Sequence, residues 1–263
     1  MEVVIRPTTQ SAVNLTAQLI ADALRAKPNM VLGLATGRTM EAVYARLAEM
    51  YRKEHLDFSL ARSFNLDEYI GLGPENKNSY RYYMNTQLFD HINIDKRNTN
   101  LPNGLADDIE GEGPRYEAAI EDAGGIDLQL LGIGRDGHIG FNEPLSSLSS
   151  RTRAKSLTPE TYEQNGPLFD RPEDMPMRAF TMGVGTILDA RRLVLLATGA
   201  EKAEIIAKAV EGPLTSMISS SALQLHPNAV VIVDEEAGAC LTGRKYYDWI
   251  FAHEPKWAAY QNI

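Results

Sequence analysis

The sequence predicts a doubly wound α/β fold, a mostly parallel sheet with helices on both faces, built as a single domain over residues 1–263. Three observations predict it. Short apolar runs with no polar alternation recur along the chain, as strands buried on both faces require. Between them lie stretches whose apolar residues return every three or four positions, the helical period. Strand and helix patterns alternate, which a parallel sheet covered by crossover helices explains.

The elements follow in order. Met1-Glu2-Val3-Val4-Ile5-Arg6-Pro7 enters the first strand. From Gln10 to Lys27, the residues Val13, Ala17, Ile20 and Leu24 fall on one face of a helix that Pro28 and Asn29 end. Met30 to Ala35 is a second strand, Thr36-Gly37-Arg38-Thr39 a polar turn, and Val43, Leu47 and Met50 mark the helix after it. Ser63-Phe64-Asn65-Leu66 is a strand before an aromatic helical segment around Tyr80 to Phe89. Further strands are expected over Ile126 to Ile133, Leu193 to Ala197 and Ala229 to Val233, with a helix from about Ala200 to Val210. The segment from Leu157 to Met177 carries Pro159, Pro167, Pro172 and Pro176 among several acids, so it makes a long excursion over the surface. Such excursions are often lids over a site, the plainer alternative being an inert loop.

Composition narrows the function classes. With 44% apolar and 23% charged residues, the chain is neither disordered, collagenous nor disulfide-rich. Its 26 basic and 35 acidic residues give a net charge of −9, which argues against nucleic acid or an anionic membrane as partner. The single cysteine, Cys240, has no intrachain partner, no apolar run reaches the length of a spanning helix, and the first residues lack a signal-peptide layout. A cytoplasmic location is expected.

In a doubly wound sheet, ligands sit beyond the carboxyl ends of the strands. Four strand ends carry polar features. Thr36-Gly37-Arg38-Thr39 opens a helix whose free N–H groups and dipole favour an anion; an ordinary N-cap by Thr36 or Thr39 is the plainer reading. Thr198 and Glu201 have capping-box spacing, and Lys202 lies in the first helical turn, where a cation calls for a negative partner, either a ligand or simply Glu201 or another acid. Asp67, in Phe64-Asn65-Leu66-Asp67-Glu68-Tyr69, is a candidate base with a partly desolvated carboxylate, or else simply a solvated acid. Gly132-Ile133-Gly134-Arg135-Asp136-Gly137 matches a dinucleotide fingerprint, but Gly140 and Pro144 deny it the helix it needs, so a nicotinamide cofactor is not expected. Asp136 and Glu143 flank His138, a pattern that fixes an imidazole tautomer for acid–base work. A buried, satisfied histidine is the alternative, and the histidine spacing does not suit a metal.

Several blocks taken together resemble the glucosamine/galactosamine-6-phosphate isomerase family, which includes the isomerising glucosamine-6-phosphate deaminases. They are Leu32-Gly33-Leu34-Ala35-Thr36-Gly37, Phe64-Asn65-Leu66-Asp67-Glu68-Tyr69, Asp136-Gly137-His138-Ile139-Gly140-Phe141-Asn142-Glu143-Pro144, Ser150-Arg151-Thr152-Arg153, Gly183-Val184-Gly185-Thr186, Ala209-Val210-Glu211-Gly212 and Leu223-Gln224-Leu225-His226-Pro227. They run in order over nearly the whole chain. The resemblance implies a modified Rossmann-like fold and the conversion of glucosamine 6-phosphate and water to fructose 6-phosphate and ammonia, without metal, nicotinamide or pyridoxal. It implies that Asp67 moves the C2 proton and that His138, held by Asp136 and Glu143, opens the sugar ring. The phosphate would lie on Thr36, Gly37, Arg38 and Thr39, with Lys202 as a point charge.

Two departures stand out. The chain has Gly37-Arg38-Thr39-Met40 where the family has Gly-Gly-Thr-Pro or Gly-Ser-Thr-Pro, and Pro167 where members carry a phosphate-binding arginine. Arg38 is expected to supply the missing charge. Some members are hexamers activated by N-acetylglucosamine 6-phosphate, and Ser146, Arg153, Lys155 and Tyr246 are compatible with such a site, although Arg151, Arg153 and Lys155 could equally form a solvated basic edge. A galactosamine-6-phosphate deaminase, a non-catalytic sugar-phosphate sensor and a lactonase are the rival readings. The sensor lacks a counterpart here to its N-terminal DNA-binding module, and the lactonase has no need of the Asp67 block.

Overall fold

A computed structural model describes the whole chain, Met1–Ile263. In order it forms β1 (Glu2–Arg6), α1 (Thr9–Ala26), β2 (Val31–Leu34), α2 (Arg38–Glu54), β3 (Arg62–Asn65), β4 (Asp67–Tyr69), α3 (Tyr80–Gln87), β5 (Thr99–Asn100), α4 (Ile109–Asp122) and β6 (Leu128–Leu131). There follow β7 (Arg153–Ser156), α5 (Pro159–Asn165), β8 (Arg178–Thr181), α6 (Val184–Leu188), β9 (Leu193–Ala197), α7 (Ala203–Glu211), β10 (Ala229–Asp234) and α8 (Arg244–His253), with short 3-10 turns between.

Seven strands pair in parallel in the order β1-β10-β9-β6-β2-β3-β5. The doubly wound α/β fold expected from the sequence is therefore present. β2 and β6 sit side by side at its middle, and the chain runs outward from them in opposite directions. This is the topological switch point, where the loops after two neighbouring strands part and leave a crevice. The strands are short and apolar because both faces are covered: β9 and β10 are buried at every position. Val13, Ala17, Ile20 and Leu24 all turn inward on α1, and Val43, Leu47 and Met50 on α2. One continuous cluster of 62 buried apolar side chains spans both faces of the sheet. A separate cluster of six, including Tyr69, Phe141, Phe169 and Met175, lies beyond its carboxyl edge.

A second sheet of three antiparallel strands, β4-β8-β7, stands beside the first. Asp67 therefore lies in a strand of its own rather than in a loop. The strand is three residues long, too short for a periodicity to show. The Ala200 to Val210 helix begins as a 3-10 turn over Ala200–Lys202 before α7. Its expected Thr198–Glu201 capping box does not form. Gly199, with φ of 90°, takes the cap position, and its N–H donates to the Asp234 carboxylate at 3.1 Å, so an acid from β10 already occupies that turn.

Candidate active site

Loops after β2, β3 and β6 converge at the switch point. Asp67 opens β4, opposite Thr181 of β8, and is 6% exposed. Its carboxylate faces the loop after β6, where a Cβ on Gly140 would stand 2.8 Å from Thr181 Oγ1 and 3.6 Å from Asp67 Oδ2. Gly140 also has φ of 57°, so glycine there meets both a left-handed backbone and a close approach. The Phe141 N–H donates to Thr181 Oγ1 at 3.0 Å, which locks that loop to the strand facing the base. Burial, then the neighbouring Glu68 carboxylate, push the Asp67 pKa up to about 8, with His138 pulling the other way. The solvated-acid reading of Asp67 does not hold.

His138 lies between two acids. Its Nδ1 is 2.7 Å from Asp136 Oδ1 and 3.3 Å from Glu143 Oε2. Neither oxygen lies along the ring N–H, so both contacts act as charge pairs. Burial works against the imidazolium, but the Asp136 and Glu143 carboxylates outweigh it and push the His138 pKa up to about 9. Burial likewise opposes the charge on Asp136, yet His138 holds its pKa down to about 2. Glu143 is anchored in turn by the Thr161 hydroxyl at 2.6 Å and the Thr158 N–H at 3.2 Å. The ring itself rests on Gly134, where a Cβ would fall 2.5 Å from His138 Cε1 and Nε2. No helix follows these glycines, as expected of a sequence that only superficially resembles a dinucleotide fingerprint. Asp136, His138 and Glu143 are also the residues that could hold a cation, their ligand-capable atoms lying within 4.8 Å of one another.

The Thr36 to Thr39 turn opens α2. Gly37 is its N-cap, with φ of 123°, and no side chain caps the helix; neither Thr36 nor Thr39 does so. Of the first-turn N–H groups, that of Met40 closes on the Gly37 carbonyl at 2.9 Å, while those of Gly37, Arg38 and Thr39, which have no intrahelical acceptor, stay open. Tyr83 donates to the Gly37 carbonyl at 2.8 Å and steadies the turn. Lys202 reaches across from the turn after β9 and donates to the Ile133 carbonyl at 2.8 Å, which places its ammonium beside the His138 loop. Arg38 is exposed on the first turn of α2.

The segment from 157 to 177 packs onto the loops of the site. α5 supplies Thr161 to Glu143, Asn165 donates to the Tyr69 hydroxyl at 3.1 Å, and Phe169 packs edge-on against Tyr69 at 5.7 Å. The four residues compatible with an effector site are not gathered in one chain. Ser146 is buried with an unpaired hydroxyl, Arg153 donates to Asn142 Oδ1 at 2.7 Å, and Lys155 follows Arg153 on β7. Tyr246, 64% exposed, stands on α8, which packs against β1 at the far edge of the large sheet.

Sequence reasoning missed Glu68, Tyr80, Thr161 and Thr181. Tyr80 stacks on Phe141, and its hydroxyl lies beside Thr36 and donates to Tyr69. Only the aromatic density of Tyr80-Arg81-Tyr82-Tyr83 hinted at it.

The chain is 51% identical over 250 residues to a glucosamine-6-phosphate deaminase of Hahella chejuensis, covering 95% of both chains. It is 50% identical over 256 residues to one of Shewanella woodyi, covering 97% of both. Among solved structures, a monomeric glucosamine-6-phosphate deaminase superposes with a TM-score of 0.89 at 42% identity, over 91% of this chain and all of that one. A 6-phosphogluconolactonase from Leishmania guyanensis, 18% identical with a TM-score of 0.70 over 90% of this chain and 97% of that one, shares the fold. Residues 6–235 match the model of the glucosamine-6-phosphate isomerases/6-phosphogluconolactonases, and the chain belongs to that family.

Proposed function

We infer that the chain catalyses the isomerising deamination of glucosamine 6-phosphate, with water, to fructose 6-phosphate and ammonia. One observation carries the choice among the family's reactions. Asp67 is a buried carboxylate, 6% exposed and with no hydrogen-bond donor on it, turned to the crevice beside Gly140. Opening a lactone needs no group that takes a proton from carbon; an aldose–ketose isomerisation does.

His138 supplies the first step. Its Nδ1 side is held by the two carboxylates, so Nε2 meets the sugar. The imidazolium gives its proton to the ring oxygen as the C1–O5 bond breaks, and takes back the proton of the C1 hydroxyl, leaving an open-chain aldehyde. Asp67, as the carboxylate, then removes the C2 proton; the electron pair moves into a C1–C2 double bond and the aldehyde oxygen takes a proton from the His138 imidazolium. Asp67 returns its proton to C1, and the C2 iminium that results adds water and expels ammonia, leaving the ketone, the proton set free in that hydrolysis going back to His138. The imidazolium favours the ionised form of Asp67, so one charge prepares the other. The phosphate is held by Thr36 and the N–H groups of Gly37, Arg38 and Thr39, with Lys202 and the Arg38 guanidinium supplying charge. Residues 157–177 serve as a lid hinged on Glu143 and Tyr69. All of these groups come from one chain.

Purified protein incubated with glucosamine 6-phosphate is expected to release ammonia and fructose 6-phosphate in equal amounts. Hydrolysis of 6-phosphogluconolactone with no ammonia from the amino sugar would overturn this reading. Running the galactosamine isomer in parallel tests the choice at C4.

A further inference from the structure

We propose that Glu68 is a positioning residue of the reaction: a fixed carboxylate that ties the strand bearing Asp67 to the first turn of α3, and so sets both the place of Tyr80 and the charge beside the base. This rests on the reading of Asp67 as the proton acceptor and deepens it.

Neighbours in a strand point to opposite faces. Asp67 turns to the crevice beside Gly140, and Glu68 turns away from it, 2% exposed. Glu68 Oε1 accepts the N–H groups of Tyr69 and Tyr80, and Oε2 accepts that of Arg81, each at 2.9 Å. The Ser79 hydroxyl accepts the Tyr82 N–H at 3.1 Å. Between them, Ser79 and Glu68 satisfy the first turn of α3, where a carboxylate also meets the positive end of the helix dipole. No side-chain ion pair neutralises Glu68, because the Arg81 guanidinium is turned to the Thr99 hydroxyl at 2.7 Å and the Thr99 carbonyl at 2.9 Å.

The tie has two consequences. The first is geometric. Tyr80, whose N–H Glu68 holds, stacks on Phe141 with ring centroids 6.1 Å apart and planes 20° apart. Its hydroxyl donates to the Tyr69 hydroxyl at 3.3 Å and lies beside Thr36. Tyr80 thus bridges the histidine loop, the base strand and the phosphate turn, and one carboxylate keeps it there. The second is electrostatic. The titratable groups close enough to act on the charge of Asp67 are Glu68 and Tyr69 on its own strand, His138 from the loop after β6, Tyr44 from α2, Tyr80 from α3 and Tyr116 from α4. The phenols are neutral at working pH, and Glu68, whose own pKa burial pushes up to about 7, is ionised where Asp67 titrates near 8, so there it is the negative charge that strengthens the base against the positive charge of His138. Two adjacent acids take different roles because one is saturated with N–H donors and the other has none.

The test follows the Asp67 carboxyl by ¹³C NMR across pH, its signal assigned with Asp67→Asn, alongside kcat and KM for glucosamine 6-phosphate. In Glu68→Gln the Asp67 midpoint is expected to fall by about one pH unit or more, and the acidic limb of kcat/KM to move down with it. The high-pH plateau of kcat should drop about tenfold or more while KM stays within about twofold. Glu68→Asp keeps the charge but is a methylene too short to reach both Tyr80 and Arg81. Its midpoint should stay within about half a unit of wild type, with the plateau of kcat still lowered. An unmoved midpoint in Glu68→Gln, or wild-type kcat in Glu68→Asp, would overturn the proposal. Should Glu68→Gln not fold, Glu68→Asp decides. If wild type released no ammonia, the functional reading would fail while the NMR midpoints still judged Glu68.

Discussion

Asp67 and Glu68 show how environment divides labour between like residues. Both are buried acids on one three-residue strand, and only contacts to other segments distinguish them. Asp67, Asp136, His138 and Glu143 were legible in the sequence because each sits in a compact polar block at a strand end. Glu68, Tyr80 and Thr181 were not, because their roles arise from contacts such as Phe141 N–H to Thr181, 40 residues apart. At the proposed phosphate turn, charge would come from Arg38 and Lys202. Arg38→Ala and Lys202→Ala should each raise KM for glucosamine 6-phosphate about tenfold or more with kcat little changed, since both lose binding common to ground and transition states. Steady-state kinetics would show this. A normal KM in Arg38→Ala beside a raised KM in Lys202→Ala would remove Arg38 from the site.

Among the elements, continuously apolar strands and amphipathic helices were legible, and polar, very short or interrupted ones were not. α4 hides behind Gly111, Gly113 and Pro114 within its first six residues, and it is held by Asp108, whose carboxylate accepts the Gly111 N–H at 2.9 Å. β7, Arg-Ala-Lys-Ser, has no apolar alternation to read; its strand character comes from pairing with β8. The 157–177 segment was legible as an excursion through its prolines, but its docking was not. Phe169 and Met175 anchor it in the small cluster with Tyr69 and Phe141. Phe169→Ala removes a buried ring, a change that costs about 3–5 kcal/mol in a fixed core. Here the cost should appear locally, as faster amide hydrogen exchange over residues 157–177 with the central sheet unchanged and KM raised. Equal exchange in wild type and variant would show that the segment is held by something else.

Across the whole molecule, the topology and the charge balance meet at one place. A net charge of −9 argues against extended polyanions as partners but is compatible with a single phosphate, if the open end of α2, Lys202 and Arg38 gather positive potential at the switch point as proposed. The site also sets the pH dependence of stability. Asp67 and Glu68 bind protons more tightly folded than unfolded, with pKa values near 8 and 7 against about 4 for the unfolded chain. Their contribution to stability is therefore full below about pH 4 and is lost as pH rises through those values. His138, raised to about 9, contributes fully below its unfolded pKa and loses that contribution as pH passes 9. Asp136, held near 2, works the other way, and its contribution is lost only in strong acid. Stability should therefore peak in mild acid and decline toward alkaline pH. At pH near 8, Asp67→Asn should unfold at a higher temperature than wild type, by on the order of 1–3 kcal/mol, the usual direction when a desolvated functional charge is removed. A thermal melt series across pH would check this; a lower Tm for Asp67→Asn at pH near 8 would contradict it.

Transfer of the C2 proton by Asp67 is the centre of the account, and the rate of ammonia release from glucosamine 6-phosphate by Asp67→Asn, compared with wild type at saturating substrate, tests it most directly. The account predicts a loss of about 10²-fold to 10⁴-fold, as removal of a positioned base gives, with KM little changed; a rate within about twofold of wild type would contradict it.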